Sequence, residues 1–565
     1  MNNQHSQGQS WKLWIAPTLF LLLFFVFPML SIILAASRMV GQIHSITNWQ
    51  RIIGIIGFTL YQALLSTLLT LLVGLPAAFL FGLFNFRGKG LLRLLSTLPF
   101  ILPTVVVAAG FNSLIGPRGW LNLLLMNLLH LGEPPVQLLN SLSAILLAHV
   151  FYNTAVIIRV VGSALEHLDP RLEQTSRTLG ASPWRNFWNV TLPLLRPALA
   201  SAILLVFLFD FTSFGVVILL GGPQFATLEV EIYYQTMQLL NLPLASILSM
   251  IQIVFTLVIT LSILRLGGGE VIPVRPRVQV ESLRKPTHLG ERLFLIFMMF
   301  LLFVIFIAPL LGLMLRSITR MDAERGERGI ILPNITLDYY RELFINRRQS
   351  LFYVPPILAL RNSLLYALSS SLLSLLFGGM AATALTQKMR GDKLLDSLLM
   401  LPMGASAVTL GLGYVLAYGF NFQSRQLFPY LIPVVHSLVA LPFVVRTLQP
   451  VMASIPTTIK FAATTLGASR WHVWYRIELP LVSRSVTVAG LFAFAISLGE
   501  FGATAFLTRP DVPTLPIAIY RFLGLPGALN YGQALAMATI LLALCAAVMT
   551  LIDLVQTRIS TGDTS

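Results

Sequence analysis

Cysteine is nearly absent: the 565 residues contain one, Cys545. It lies in an apolar run, and a single thiol excludes any internal disulfide. Charge is scarce as well. Asp, Glu, Lys and Arg make up 11% of the chain and hydrophobic residues 56%, whereas an average soluble domain carries about 25% charge. Most of the chain must therefore be solvated by lipid or by itself. The eight histidines are scattered and form no ligand-like group, so no metal site is expected. No Gly-rich loop followed by Lys and Ser/Thr exists to cradle phosphates, so the chain cannot hydrolyse ATP itself. No nucleophile-and-base pair stands out in the loops, and neither a catalytic residue nor a cofactor is expected. The formal charge is +16. Its Lys and Arg sit between apolar runs rather than on a soluble face, a pattern that marks cytoplasmic loops and argues against nucleic acid as a partner.

What the chain has is long apolar runs. A spanning helix needs about 20 mostly apolar residues. Candidate spans lie near 12–36, 55–83, 94–115, 140–165, 198–220 and 244–266, then near 292–316, 357–386, 394–418, 428–450, 485–508 and 531–556. The expected fold is an all-α integral membrane protein with about twelve transmembrane helices in two six-helix halves. Pro429, Pro433 and Pro442 make the span at 428–450 the weakest of the set. The run after Trp11-Lys12 exceeds a signal-peptide core of roughly 7–15 residues and is read as a retained first span. Basic residues follow the second, fourth, sixth, eighth and tenth spans, which places those loops and both termini in the cytoplasm. The mixed-charge stretch 317–355 is expected outside, as a small lid or docking element. Gly267-Gly268-Gly269, Pro273, Pro276 and Pro286 mark 267–291 as a linker between a first half, 1–266, and a second, 292–565.

The halves repeat. At an offset of 287, His149 meets His436, Arg159 meets Arg446, Phe214-Gly215 meets Phe501-Gly502, and Ile232-Tyr233 meets Ile519-Tyr520. Six spans per half make the repeat parallel, with a pseudo-two-fold axis along the membrane normal and a path between the halves. The same offset relates two polar segments wedged between spans, near 171–197 and 458–484. One runs from Leu179-Gly180-Ala181-Ser182-Pro183-Trp184 to Leu192-Pro193. The other runs from Leu466-Gly467-Ala468-Ser469 to Leu479-Pro480, with Gly thirteen residues before Pro in both. Each is expected to form a short helix over Leu172–Leu179 or its equivalent, a left-handed turn at Gly, a second helix begun by Pro183, and an end at Leu-Pro. A single such elbow could simply lie on lipid. Two with a fixed Gly-to-Pro distance point to a soluble partner.

These elbows resemble the coupling-loop signature of type I binding-protein-dependent ABC importer permeases, in which Glu-Ala-Ala, three residues and Gly precede Leu-Pro. Where the family has Glu-Ala-Ala, the first copy has Gln174-Thr175-Ser176, with Glu173 one residue earlier; the second has Phe461-Ala462-Ala463. The resemblance covers nearly the whole chain as two fused permease halves, most similar to the thiamine and ferric-iron subfamilies. The tract Leu220-Gly221-Gly222-Pro223-Gln224 and Gly499-Glu500-Phe501-Gly502 lean toward thiamine. It implies that a dimer of ABC ATPase subunits docks on the elbows. A periplasmic or lipid-anchored binding protein would deliver solute at 221–243, 317–355 and 509–530, in a bacterial-type inner membrane.

Asp210 and Glu500 fall within expected spans. A charge there costs at least about 2.5–3.5 kcal/mol on insertion scales, so it faces a cavity or a partner. Asp210 aligns with Ser497, and Ser213 with Glu500. Two readings stand side by side: the acids line a path that favours a cation, or each is hydrogen-bonded to a neighbouring helix. His149 and His436 are expected as satisfied packing residues. The resemblance puts Phe214 and Phe501 near an outer gate. Glu229 and Glu231 on the outer face also hint at a cationic solute. An ion-gradient-driven secondary transporter with two six-helix halves is the alternative, and a membrane scaffold is a third reading; neither needs elbows.

Overall fold

A computed structural model describes residues 13–39, 49–168, 170–222, 224–266, 284–320, 335–345, 355–386, 392–419 and 424–562. Residues 267–283 of the expected linker lie outside them, as do Pro223 and most of the expected outer stretch, 321–334 and 346–354. Helix dominates because lipid offers the backbone no hydrogen bonds, so each segment must satisfy its own. The first half runs α1 (Leu13–Arg38), α2 (Trp49–Leu83), α3 (Lys89–Ile101), α4 (Thr104–Ile115), α5 (Trp120–Leu129), α6 (Leu142–Glu166), α7 (Pro170–Thr178), α8 (Pro183–Phe211), α9 (Gly215–Leu220), α10 (Leu228–Tyr233) and α11 (Leu242–Leu266). The second runs α12 (Leu289–Ser317), α13 (Asp338–Arg341), α14 (Pro356–Thr386), α15 (Asp392–Gly404), α16 (Ala407–Tyr418), α17 (Phe428–Ser454), α18 (Thr457–Thr465), α19 (Trp471–Gly499), α20 (Thr504–Leu507), α21 (Leu515–Leu523) and α22 (Ala528–Gly562).

Ten of the helices among the described residues are long and apolar enough to cross a membrane. The third and ninth expected spans are pairs of short helices instead, α3–α4 and α15–α16. In the first pair, Pro103 holds Leu102 in extended backbone (ψ 132°) and breaks the run. The second pair is bent by 96°. By contrast α17 is unbroken despite Pro433, Pro442 and Pro450.

The two halves share one packing plan. In the first, α2, α6 and α8 pack together; in the second, α14, α17 and α19 do. Glycine permits the closest crossing in each. A Cβ on Gly74 would fall 2.8 Å from Ile157 Cβ, and one on Gly378 would fall 2.7 Å from Val444 Cγ1. Gly74 and Gly378 are 304 residues apart, whereas Ile157 and Val444 are 287 apart. The change in offset lies in the α4–α6 connection, which spans 116–141 and carries α5, against 419–427 in the second half. Overpacking a tight core typically costs about 1–3 kcal/mol. Gly74→Leu is thus expected to lower the yield of monodisperse protein on size exclusion. Gly54→Leu on the same helix, where a Cβ meets nothing within 4 Å among the described residues, should leave that yield unchanged.

The first span of each half crosses to the other. Helix α1 packs on α16, and the C-terminal part of α12 packs on α4. Pro28 has no N–H to give the preceding turn of α1. The carbonyls left there are taken by the second half: Tyr414 Oη donates to Phe24 O over 2.8 Å, and Tyr418 Oη to Leu23 O over 2.7 Å. Gly413 and Gly110 give room at the two crossings, since a Cβ on either would lie 3.0 Å from the carbonyl oxygen of Pro28 or Pro309. The far end of the linker is pinned too. Arg284 N donates to Leu83 O over 3.1 Å, and the Arg284 side chain lies over Phe84 and pairs with Glu291 at 2.9 Å. Of the 317–355 stretch, 335–345 is seen docked on α22, where Tyr339 fills the space that a side chain at Gly532 would need.

Candidate functional site

The paired elbows follow the residues step by step. Helix α7 covers Pro170–Thr178, close to the expected Leu172–Leu179, and α18 is its counterpart. Gly180 and Gly467 have φ +84° and +86°, the left-handed region that glycine enters without cost. Each closes its helix with the same pair of bonds. In the first elbow Gly180 N donates to Arg177 O at 3.0 Å and Ala181 N to Ser176 O at 3.1 Å. In the second Gly467 N donates to Thr464 O and Ala468 N to Ala463 O, both at 3.0 Å. Ser182 then caps the next helix, accepting from Arg185 N at 3.3 Å, and Pro183 occupies its first turn. Ser469 does the same for His472 N at 3.3 Å.

Leu192-Pro193 and Leu479-Pro480 were expected to end these helices. Instead each helix runs on into its span through one π turn, Phe187–Thr191 or Trp474–Glu478. The wide turn bonds Leu192 N to Phe187 O and Leu479 N to Trp474 O, and Pro193 and Pro480 follow it. A π turn of this kind accommodates the proline that an α-turn would reject. The elbow is therefore continuous with the span.

The elbows project. Leu179 and Leu466 are 83% and 89% exposed, and Trp184 and Trp471 are 71% and 67% exposed. The first elbow carries an open depression of about 420 Å³ lined by Leu172, Thr175, Leu179, Gly180, Arg185 and Val190. Its chemistry differs from that of its twin. Glu173 is held by Arg177 at 2.7 Å and Gln174 is exposed, while the second elbow presents Phe461, 68% exposed, beside Ala462 and Ala463.

The junction of the halves holds the other expected residues. Phe214 follows the end of α8, and Phe501 follows the end of α19. The two rings, partners under the 287 offset, stack on each other at 5.4 Å with planes 19° apart. Tyr233 packs on Phe214 at 5.3 Å and Tyr520 on Phe501 at 5.4 Å. Four aromatic rings thus form one chain across the pseudo-axis. A Cβ on Gly215 would lie 2.1 Å from Thr104 Oγ1, so the start of α4 presses directly behind the first ring.

Both acids are buried beside this chain, Asp210 at 0% exposure and Glu500 at 8%. Asn153 Nδ2 donates to Asp210 Oδ1 over 2.6 Å, and His149 Nδ1 lies 3.3 Å from the same oxygen. His149 Nε2 is 2.8 Å from Ser213 Oγ. In the second half His436 Nδ1 is 2.7 Å from Ser497 Oγ, and its Nε2 is 3.0 Å from Glu500 Oε2. Glu500 further accepts from Ala503 N at 2.7 Å and Thr504 N at 3.0 Å, capping α20.

Glu229 and Glu231 differ from expectation. Both are buried in α10, where Gln252 donates to Glu229 at 2.6 Å and Arg51 pairs with Glu231 at 3.1 Å. Neither presents a charge to an outer surface. Sequence reasoning did not find Asn153 or Thr504, nor the packing on the two phenylalanines of Tyr233 and Tyr520. Only the last two carried a signal, their match under the repeat.

A sequence profile of the family described as binding-protein-dependent transport system inner membrane component matches this chain twice, over residues 71–267 and 374–561. The chain belongs to that family. It is a permease with two copies of the family unit fused in one polypeptide. Among relatives, the thiamine transport system permease protein ThiP of Brucella abortus (strain 2308) is 29% identical over 505 residues, covering 88% of this chain and 86% of its own length. The protein of the same description from Escherichia coli (strain K12) is 28% identical over 512 residues, with 88% of each chain covered. The ferric transport system permease protein FbpB of Actinobacillus pleuropneumoniae is 25% identical over 470 residues, covering 82% of this permease and 65% of its own length.

Proposed function

We propose that this permease forms the translocation path of an ATP-driven importer for a small cationic solute, thiamine-like first and ferric iron second. The observation that carries the reading is the pair of matched, projecting elbows, each continuous with the span that leads to one ring of the Phe214–Phe501 stack. A separate ABC ATPase dimer grips Glu173, Gln174, Gly180, Ala181 and Pro183 on one side, and Ala462, Ala463, Gly467 and Ala468 on the other. Closure of that dimer brings the elbows together. Because Leu192-Pro193 and Leu479-Pro480 sit within unbroken helices, the motion reaches α8 and α19 undamped and parts the rings. A binding protein delivers solute at the outer end, and Asp210, Ser213, Ser497 and Glu500 border the path once it opens. Both termini lie in the cytoplasm. ATP acts by favouring the outward-open state through differential affinity.

Support for the solute comes from the relatives' descriptions, which name thiamine and ferric transport. The halves, 1–266 and 292–565, then act as two rocking bundles joined by 267–291. The test is uptake by proteoliposomes holding the permease with its ATPase and binding protein. Labelled thiamine is expected to accumulate only with ATP and binding protein, and excess ferric ion is expected not to compete. Accumulation driven by an ion gradient without ATP would overturn the reading.

A further inference from the structure

We propose that His149 and His436 are positioning residues of the gate. Each holds the broken helix that carries a gate phenylalanine through a hydroxyl bond backed by one carboxyl group, which can stand at either of two sites one turn apart. The inference rests on the gate reading above and adds what holds the gate shut.

Four residues ahead of Phe214 stands Asp210, and one residue ahead stands Ser213. Ahead of Phe501 the same places hold Ser497 and Glu500, so acid and hydroxyl are exchanged. The histidines do not exchange anything. In both halves Nδ1 faces the site four residues ahead, with His149 3.3 Å from Asp210 and His436 2.7 Å from Ser497. In both, Nε2 faces the site one residue ahead, with His149 2.8 Å from Ser213 and His436 3.0 Å from Glu500, the latter ring also lying 2.8 Å from Thr504 Oγ1 on α20. What the two copies share is therefore not a carboxylate at a given depth. It is one imidazole on α6 or α17 bracketed by one acid and one hydroxyl from the opposing break. A group that binds solute must keep its place relative to the path. A group that ties a helix end to its neighbour needs only to reach the ring from either side. The exchange fits the second requirement.

The tethers differ in strength. Glu500 holds the imidazole and also caps α20 through Ala503 N and Thr504 N, whereas His149 Nδ1, 3.3 Å from Asp210 Oδ1, completes no hydrogen bond among the described residues. A buried polar group with an unmet bond is a weaker tie than a fully satisfied one. Half one is therefore the looser side of the gate. Moving its acid to position 213 would copy the second half's arrangement and offer a cap to the N–H groups of α9.

The test is the thiol-labelling rate of a reporter cysteine at Val216, which is 2% exposed just past Phe214, in a Cys545→Ala background. It is read on the full chain in membranes. Labelling of a buried thiol reports how often its surroundings open. Asp210→Ser is expected to raise the rate about 10- to 100-fold, because it leaves the buried Asn153 amide unpaired and removes the carboxyl beside His149. Asp210→Ser with Ser213→Glu is expected to return it to within about threefold of the parent. Asp210→Asn, which keeps size and shape, guards against a misfolded serine variant and is expected to raise the rate in the same direction. Unchanged labelling in both single variants, or no recovery in the relocated one, would overturn the proposal. Failure of the importer reading would show separately, as no ATP-driven uptake by the unaltered chain.

Discussion

Replacing Gly180 and Gly467 together by valine is expected to abolish the stimulation of ATP hydrolysis in the reconstituted complex, to below about a tenth of the parent value. Left-handed backbone costs an ordinary L-residue about 1–2 kcal/mol, and a β-branched residue more. At φ +84° and +86° both turns would unwind. The bonds from Ala181 N to Ser176 O and from Ala468 N to Ala463 O would go with them. The damage should stay local, because a Cβ at either glycine meets nothing within 4 Å among the described residues. Insertion and size-exclusion behaviour should therefore match the parent while coupling is lost. Stimulation that survived both substitutions would remove the elbows from the mechanism. Gly180→Ala alone, with no branch at Cβ, should retain part of it.

The second large effect is expected at the ring stack. Phe214→Ala with Phe501→Ala should raise passive efflux of small cationic solute from proteoliposomes at least about tenfold without ATP, and should let ATP hydrolysis run without binding protein. Both rings are buried, at 5% and 3% exposure. Burying such a side chain contributes roughly 1.5–3 kcal/mol, and a stacked pair adds about 0.5–1.5 kcal/mol. Losing both removes several kcal/mol of preference for the closed state, and each 1.4 kcal/mol is a factor of about ten in a two-state ratio. Efflux equal to the parent, from protein that runs as a single species, would mean that the seal lies elsewhere.

The elbows were legible because their signals are local. A glycine that ends a helix, a serine that caps the next and a proline in its first turn each act within four residues. The repeat doubled every one of those signals. The π turns were not legible: Leu-Pro reads as a stop, and only the structure shows that a wide turn ahead of Pro193 and Pro480 lets the helix continue. Spans were read from hydropathy over about 20 residues, a window that blurs the break at Pro103 and passes over α5. The ring stack was half visible. Phe214 and Phe501 matched under the offset, but their contact depends on how the halves close on each other, which no local pattern encodes. Glu229 and Glu231 misled for the opposite reason. Charge was taken for exposure, while Gln252 and Arg51, far along the chain, satisfy both acids inside the protein.

The decisive measurement is the distance between spin labels at Asn189→Cys and Arg476→Cys, again with Cys545→Ala, in the complex with its ATPase dimer. These exposed positions, partners under the 287 offset, sit on the two π turns and leave the elbow tips free for docking. If a motor grips both elbows, adding ATP under non-hydrolysing conditions shortens the distance by several ångströms, and the thiol-labelling rate at Val216→Cys rises with it. A distance that does not change with nucleotide, in a complex that still transports, would contradict the coupling of elbows to gate.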